Sequence, residues 1–304
     1  MIGHITDPSA EGGFARRELS EPDLGSHDTL VEVRAYSVNR GELGLLEQRS
    51  EGWRPGQDVA GVVIAEAPDG TGPTLGTRVT GHAEGGSWSE RVNVPSNRLG
   101  VIPDNVSFAD AAGLPAAGLT ALRALRTGGS LLGRKVLVTG ASGGVGHFAV
   151  QLAKLGGAEV TASVSGPHRF ESLAGYDVEL VTTLEGSGPF DVVLDGVGGQ
   201  VLMDAIHHLA PGGVIVAYGV ASGETSNFAF RDFPWGEVNW LTGFYLWATP
   251  ETTFSQDLAY LAGLIGKNQL DVRSSVRRDW SETVKAVEML RARQATGKVI
   301  LTIS

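Results

Sequence analysis

The sequence contains no cysteine among its 304 residues. This absence excludes disulfide bonds, thiol nucleophiles and thiolate ligands for zinc or iron–sulfur clusters. Aromatic residues are scarce at 7%, and no stretch approaches the roughly 20 apolar residues that a membrane-spanning helix needs. Basic residues are in the minority, 24 against 34 acidic residues, so a nucleic-acid-binding surface is not predicted.

The amino-terminal segment, MIGHITDPSAEGGFARR, also lacks the apolar core of a signal peptide. The absence of cysteine is compatible with a reducing compartment. We therefore expect a cytoplasmic protein that is soluble and has neither a membrane nor a nucleic-acid partner.

The length predicts about two domains, and the pattern of the first hundred residues differs from that of the later residues. Leu30–Val38 and Val59–Ala65 are rich in β-branched residues, and glycine and proline interrupt the chain around them. Short strands between such turns predict a small barrel or sandwich. Ser107–Leu125 is then alanine-rich and predicts a helix, with Ser107 as its N-cap.

Strands and helices alternate in the middle of the chain, which predicts a doubly wound parallel sheet and an α/β fold. The predicted strands are Lys135–Thr139, Glu159–Val164, Asp177–Val181, Phe190–Leu194 and Gly213–Tyr218, and the predicted helices are Gly144–Leu155 and Gln200–Leu209. Two further helices, Thr252–Leu264 and Ser281–Gln294, precede a predicted closing strand at Lys298–Ile303.

The segment TGASGGVG links the first of these strands to a helix. Gly143 and Gly146 occupy the second and third glycine positions of a G-x-G-x-x-G fingerprint, and Ala141 occupies the first. Such a turn lets a pyrophosphate approach the free N–H groups of the helix N-terminus. An ordinary glycine-rich loop is the alternative, but the flanking strands and helices favour a dinucleotide site.

The residues at the end of Glu159–Val164, the second predicted strand of the parallel sheet, distinguish an NAD site from an NADP site. An NAD site usually has a carboxylate there to bind the ribose 2′-hydroxyl, whereas this chain reads ASVSGPHR and has only Glu159, at the strand's start. Ser163 and Ser165 can donate hydrogen bonds to a 2′-phosphate, and Arg169 can form a charge-assisted pair with it. We therefore predict NADP(H), the alternative being that Arg169 lies on a solvated helix face.

Several segments, in the same order, resemble the medium-chain dehydrogenase/reductase superfamily and its zinc-free quinone oxidoreductase (zeta-crystallin-like) branch. They are VEVRAYSVNRGEL, PGQDVAGVV, GTRVTGHAEGGSWSERVNVP, AAGLPAAGLTALRAL, TGASGGVGHFAVQLAKLGGAEV, FDVVLDGVGG and TGKVIL. The resemblance implies a β-rich GroES-like substrate domain formed by residues 1–105 and 265–304. It also implies a Rossmann cofactor domain over residues 106–264, an active site in the cleft between them, and a homodimer joined through the edge of the Rossmann sheet.

The zinc-dependent branch of this superfamily has a cysteine where Asn39 stands here, and a His-Glu pair at Gln57 and Asp58. An amide is a poor substitute for a thiolate or an imidazole, so no metal is predicted. His82 and Glu84, and the pair His207–His208, match no standard metal spacing.

Site residues are implied by the resemblance. It places Asn39 near the nicotinamide, where its amide can donate to a carbonyl oxygen of the substrate. Glu42 either orients Asn39, binds a ribose hydroxyl or is structural, and Trp53 is either a wall of the substrate pocket or part of the core. Phe244 is assigned to the substrate pocket, in a segment that resembles the loop covering the nicotinamide. The cofactor contacts that the resemblance implies are Thr120, Ser142, Gly143, Gly144, Val145, Val197, Tyr218, Gly219, Leu246 and Lys298.

One residue and one segment have alternative interpretations. Lys298 either contacts the cofactor or is solvated, and the aromatic run Phe228–Trp247 either lines the substrate pocket or forms a dimer contact. The function expected is hydride transfer from NADPH to a quinone or an α,β-unsaturated carbonyl. The alternatives are an enoyl-thioester reductase of the polyketide type and a non-catalytic NADPH-binding module.

Overall fold

The computed structural model describes residues 1–303. The chain divides into two compact units, one formed by Met1–Leu119 with the segment from Pro250 onward, and the other by Thr120–Thr249. The predicted division lay instead after residue 105 and before residue 265. The strands are β1 (Ile2–Thr6), β2 (Phe14–Glu18), β3 (Asp28–Val38), β4 (Asp58–Ala65), β5 (Arg78–His82), β6 (Arg91–Pro95), β7 (Leu99–Val101), β8 (Lys135–Thr139), β9 (Glu159–Ser163), β10 (Glu179–Val181), β11 (Phe190–Asp195), β12 (Leu209–Ala217), β13 (Trp240–Gly243), β14 (Val276–Asp279) and β15 (Val299–Thr302).

The α-helices are α1 (Arg40–Gln48), α2 (Phe108–Ala112), α3 (Pro115–Thr127), α4 (Gly144–Leu155), α5 (Gly199–His207), α6 (Phe254–Gly266) and α7 (Thr283–Arg291). The single helix predicted over Ser107–Leu125 is wrong, because it is divided into α2 and α3. Pro115 disfavours helical backbone at the residue before it, so a new helix begins at the proline. The predicted N-cap is confirmed, since the Ser107 side chain accepts a hydrogen bond from Asp110 N.

The first unit contains a mainly antiparallel sheet with the order β14-β15-β3-β4-β5-β7, and β6 also pairs with β3. Burial alternates along the first half of β3, where Val31 and Val33 face the core. The start of β15 and the start of β4 both lie beside the end of β3. Strand β15 runs antiparallel to β3 with Val299 opposite Val38, and Asp58 of β4 lies opposite Ser37 of β3.

Helix α6 belongs to the first unit, although it was predicted with the Rossmann part. The reason is close packing at Gly100 in β7. A Cβ atom built on Gly100 would lie 2.5 Å from Leu258 Cβ of α6, so only glycine permits this contact.

The second unit confirms the predicted doubly wound sheet. All of its strand pairs are parallel, and their order is β10-β9-β8-β11-β12-β13. The chain first proceeds outward from β8 to one edge and then resumes at β11 on the other side of β8. In open α/β sheets a ligand binds beyond the carboxyl ends of the strands at such a reversal. Strand β13, at one edge, was not predicted.

Among residues 1–303, no helix combines the length and the apolar composition required to cross a membrane.

Candidate functional site

The glycine turn has the geometry of a phosphate-binding loop. Strand β8 and helix α4 have the predicted bounds, and Gly143 is the N-cap of α4. Within residues 1–303 no side chain caps this helix, so its first N–H groups are free for an anion. A Cβ atom on Gly146 would lie 2.5 Å from Gly140 O and 2.6 Å from Ala141 Cα. Gly146 therefore lets the helix lie directly on the loop.

The loop after β11 meets the glycine turn at the reversal of strand order. A Cβ atom on Gly140 would lie 3.0 Å from Val197 Cγ2, so the two loops are in contact. The Asp195 carboxylate links the end of β8 to the loop after β11. Its Oδ1 accepts a hydrogen bond from Thr139 Oγ1 at 2.6 Å, and its Oδ2 accepts one from Gly198 N at 2.9 Å. Burial raises the pKa of the Asp195 carboxyl above its ordinary value.

Tyr218 and Gly219, which follow β12, extend the same edge. Tyr218 N donates to Asp195 O at 2.8 Å. A Cβ atom on Gly196 would lie 2.6 Å from the Tyr218 ring, so this ring packs directly against the glycine. Val197, Tyr218 and Gly219 thus lie together at this edge of the sheet, and their implied contacts with the cofactor stay predictions.

The carboxyl end of β9 lies beside the glycine turn, because Ser163 O accepts from Ala141 N at 3.0 Å. Ser163 is buried, Ser165 is exposed, and Arg169 is half-buried in the short 3-10 helix Pro167–Leu173. Residues 163–169 contain no carboxylate. The three predicted 2′-phosphate donors therefore follow one strand end.

The positions of the remaining predicted residues of the second unit neither support nor contradict a contact with the cofactor or the substrate. Thr120 is half-buried in α3. Phe244 and Leu246 are buried within the unit, whereas their neighbours Tyr245 and Trp247 are exposed. The structure does not test the predicted contacts of these residues with a cofactor or a substrate, so they stay predictions.

The first unit contains a buried polar cluster centred on Asp58, which is 0% exposed. Asp58 Oδ1 accepts from Ala116 N at 2.8 Å. Its Oδ2 accepts from Ser37 Oγ at 2.5 Å and from Asn39 Nδ2 at 2.8 Å. Sequence reasoning treated Asp58 only as a lost metal ligand and missed this role.

Lys298 belongs to the same cluster. Its Nζ lies 2.5 Å from Asn39 Oδ1 and 3.3 Å from Asp58 Oδ2, and the side chain is only 3% exposed. The alternative that Lys298 is solvated is therefore wrong. Because Val299 pairs with Val38, the residue just before β15 is brought beside the residue just after β3.

Glu42 fixes the backbone around Asn39. It is 0% exposed, its Oε2 accepts from Asn39 N at 2.7 Å, and its Oε1 accepts from Gln57 N at 2.8 Å. Burial and the negative charge of Asp58 together raise the pKa of Glu42 to about 8, although the Asn39 and Gln57 N–H donors and Lys298 oppose the shift. The buried carboxyl offers no exposed surface to a ribose hydroxyl, and its contacts with Asn39 N and Gln57 N fit both the orienting role and the structural role.

Trp53, the other predicted pocket residue of this unit, lies at the margin of the core. It is half-buried and packs against the buried apolar cluster of the first unit. The Arg49 guanidinium lies 5.6 Å from its ring centre. Trp53 therefore contributes to the core, and its role as a wall of the substrate pocket stays a prediction.

The side chains at the positions where the zinc-dependent branch has its metal ligands are not suited to bind zinc. Asn39 and Asp58 are already engaged with the Lys298 ammonium, and Asn39 offers an amide where zinc prefers a thiolate or an imidazole. In the part of the chain that the structure describes, no three His, Asp or Glu side chains are arranged to hold a metal ion.

Comparison with known proteins agrees with this architecture. A family model described as zinc-binding dehydrogenase matches residues 170–301. The chloroplastic quinone-oxidoreductase homolog of Spinacia oleracea is 28% identical over 310 residues, which cover 93% of this chain and 92% of that protein. An erythronolide synthase of Saccharopolyspora erythraea is 31% identical over 302 residues, covering 93% of this chain but 8% of the synthase. The structure of a mycobacterial protein complexed with NADPH superposes with a TM-score of 0.88 at 25% identity, covering 99% of this chain and 100% of that one.

The sheet order, the glycine turn and these matches over nearly the whole chain define an oxidoreductase with a Rossmann sheet. The chain belongs to the medium-chain dehydrogenase/reductase superfamily, in its quinone oxidoreductase-like branch.

Proposed function

We propose that this protein is an NADPH-dependent reductase that transfers a hydride to a quinone or an α,β-unsaturated carbonyl without a metal ion. The observation that carries the proposal is the uncapped N-terminus of α4, seated on the glycine turn beside a strand end that has no carboxylate. The NADPH complex of the mycobacterial neighbour supports the same cofactor.

The residues that would hold the cofactor are those gathered at the carboxyl edge of the parallel sheet. The backbone of Ser142 to Val145 binds the pyrophosphate, and Ser163, Ser165 and Arg169 bind the 2′-phosphate. When bound, NADPH supplies the hydride. The close packing at Gly146 keeps the helix N-terminus against this loop.

Asn39 binds the acceptor. One N–H of its Nδ2 donates to Asp58, and the second has no partner among residues 1–303. This second N–H donates to the carbonyl oxygen of the acceptor and stabilises the negative charge that develops there after hydride addition. The resulting enolate or phenolate takes its proton from water, which completes the reduction.

The cofactor assignment is tested by titrating the protein with NADPH and with NADH while following fluorescence. We expect tight binding of NADPH and weak binding of NADH. Replacing Arg169 by alanine should weaken NADPH about 10- to 100-fold, because a charge-assisted hydrogen bond contributes about 1.5–3 kcal/mol. The exposed Arg231 of the same unit provides the control Arg231→Ala, which should bind both cofactors as the wild type does. Equal affinity of the wild type for both cofactors would exclude the phosphate site.

The substrate class is tested by the loss of NADPH absorbance with a quinone, an enone and an enoyl-pantetheine thioester. Faster turnover of the quinone or enone supports the proposal. The erythronolide synthase match favours the thioester as the second candidate, and preference for it would identify an enoyl-thioester reductase. NADPH binding without oxidation by any acceptor would identify a non-catalytic module.

We further propose a homodimer formed through the edge strand β13. Its Trp240 is 63% exposed, and Phe230 and Trp235 nearby are 83% and 74% exposed. An exposed strand edge with a large apolar patch is a site for association.

Trp240→Glu is expected to convert the protein to a monomer in light-scattering measurements, because it places a charge in the apolar contact. The exposed Tyr260 of the other unit serves as control, and Tyr260→Glu should leave the mass unchanged. A monomeric wild type would refute the dimer. Lost turnover in Trp240→Glu at unchanged mass would instead support the alternative that the aromatic run lines the substrate pocket.

A further inference from the structure

We propose that Lys298 is a positioning residue: it fixes the Asn39 side-chain amide so that an N–H, and not the carbonyl oxygen, is left free for the acceptor. This inference rests on the proposed function of Asn39. It assigns a role to a buried lysine that lies 259 positions away from Asn39 in the sequence.

An asparagine amide can be placed in two orientations that differ by exchange of its oxygen and nitrogen. The hydrogen-bond partners of Asn39 distinguish them. A lysine ammonium has only donors, so the atom 2.5 Å from Lys298 Nζ must be the oxygen. A carboxylate only accepts, so the atom 2.8 Å from Asp58 Oδ2 must be the nitrogen.

The partners of Asn39 are themselves fixed. Asp58 is held by Ser37 Oγ and Ala116 N, and the Asn39 backbone is held by the Glu42 carboxyl. Asp58, Glu42 and Lys298 are all buried, so water cannot replace these contacts easily. The amide is therefore held at both its atoms, and one N–H is left over.

Loss of the ammonium would release this arrangement. Without the Lys298 ammonium, Asn39 Oδ1 loses the donor that determines its direction. The amide can then rotate and direct its oxygen at the acceptor. The residues proposed to bind the pyrophosphate and the 2′-phosphate all lie in the second unit, and the Lys298 ammonium contacts Asn39 and Asp58. This change should therefore not alter NADPH binding.

The test compares Lys298→Met with the wild type. Removing a donor to a developing oxyanion lowers kcat by about 10²–10³, and partial loss of its orientation is expected to lower kcat about 10- to 100-fold. The affinity for NADPH should stay within twofold. Lys285→Met replaces an exposed lysine of the same unit and should leave kcat unchanged.

A double-mutant cycle with Asn39→Ala separates positioning from a general structural effect. If Lys298 acts through Asn39, adding Lys298→Met to Asn39→Ala should cause no further loss of kcat. A full additional loss in this background would overturn the proposal.

A charge-matched variant covers the case in which Lys298→Met fails to fold. Lys298→Met/Asp58→Asn removes both charges, and the new amide can donate to Asn39 Oδ1. We expect a folded protein that binds NADPH but keeps the low kcat. Recovery of kcat in this variant would show that only charge balance matters, and would overturn the proposal.

Side-chain amide NMR decides the inference independently of turnover. In ¹⁵N-labelled wild type, the two N–H protons of Asn39 should differ, one protected from solvent exchange by Asp58 and one exchanging. Equal exchange of the two would overturn the inference. A wild type that reduces no acceptor would instead refute the proposed function, with the NMR result still deciding how the amide is held.

Discussion

Gly146→Ala is expected to raise the dissociation constant for NADPH at least tenfold and to destabilise the second unit. The new Cβ atom would lie 2.5 Å from Gly140 O and 2.6 Å from Ala141 Cα, and both of these are backbone atoms that cannot rotate away. Helix α4 must therefore move off the loop, and its N–H groups move with it. Overpacking of this kind costs about 1–3 kcal/mol. Fluorescence titration and urea unfolding measure the two effects.

Gly263 in helix α6 provides the matched control. A Cβ atom there would meet nothing within 4 Å, so Gly263→Ala should gain about 0.5–1 kcal/mol from helix propensity. Its affinity for NADPH should be unchanged. If Gly146→Ala bound NADPH as tightly as the wild type, α4 would not need its close approach to the loop, and the predicted role of the third glycine would be wrong.

Glu42 is expected to lower the stability of the first unit by about 2 kcal/mol between pH 6.5 and pH 8, because its carboxyl stays protonated in the folded protein over this range but not in the unfolded chain. Burial raises the pKa of Glu42 from 4.5 to about 8. Between these values the folded protein holds a proton that the unfolded chain has lost, so a rise in pH favours unfolding. Urea unfolding followed by tryptophan fluorescence at several pH values measures this slope.

Two histidines act in the opposite direction but at lower pH. Burial lowers the pKa of His4 and of His82 from 6.5 to about 4, so their contribution to stability is lost as the pH falls below 6.5. Both histidines are present in every variant, so the difference in slope between the wild type and a Glu42 variant isolates Glu42. Glu42→Gln should lack the fall in stability above pH 6.5, whereas Glu288→Gln, at an exposed position on α7, should retain it. The same slope in the wild type and in Glu42→Gln would exclude Glu42 as its source.

Most of the second unit could be predicted because its signals are local. Strand β8 and helix α4 begin and end at the predicted residues, since an apolar run, a glycine turn and a second apolar run follow one another directly. Helix α1 was missed: its sequence RGELGLLEQ contains Gly41 and Gly44, which disfavour a helix. Strand β13 was missed because its four residues show no alternation of buried and exposed positions.

By itself, the sequence determined the parallel sheet, the glycine turn and the lack of a carboxylate after β9, because hydrophobic periodicity and turn residues act over short distances. Only the tertiary structure decided the environment of Asn39. The antiparallel pairing of β15 with β3 brings Lys298 to it, and the pairing of β3 with β4 brings Asp58. Burial of these side chains then raises the pKa of Glu42 and fixes the amide, and neither effect has a signal in the local sequence.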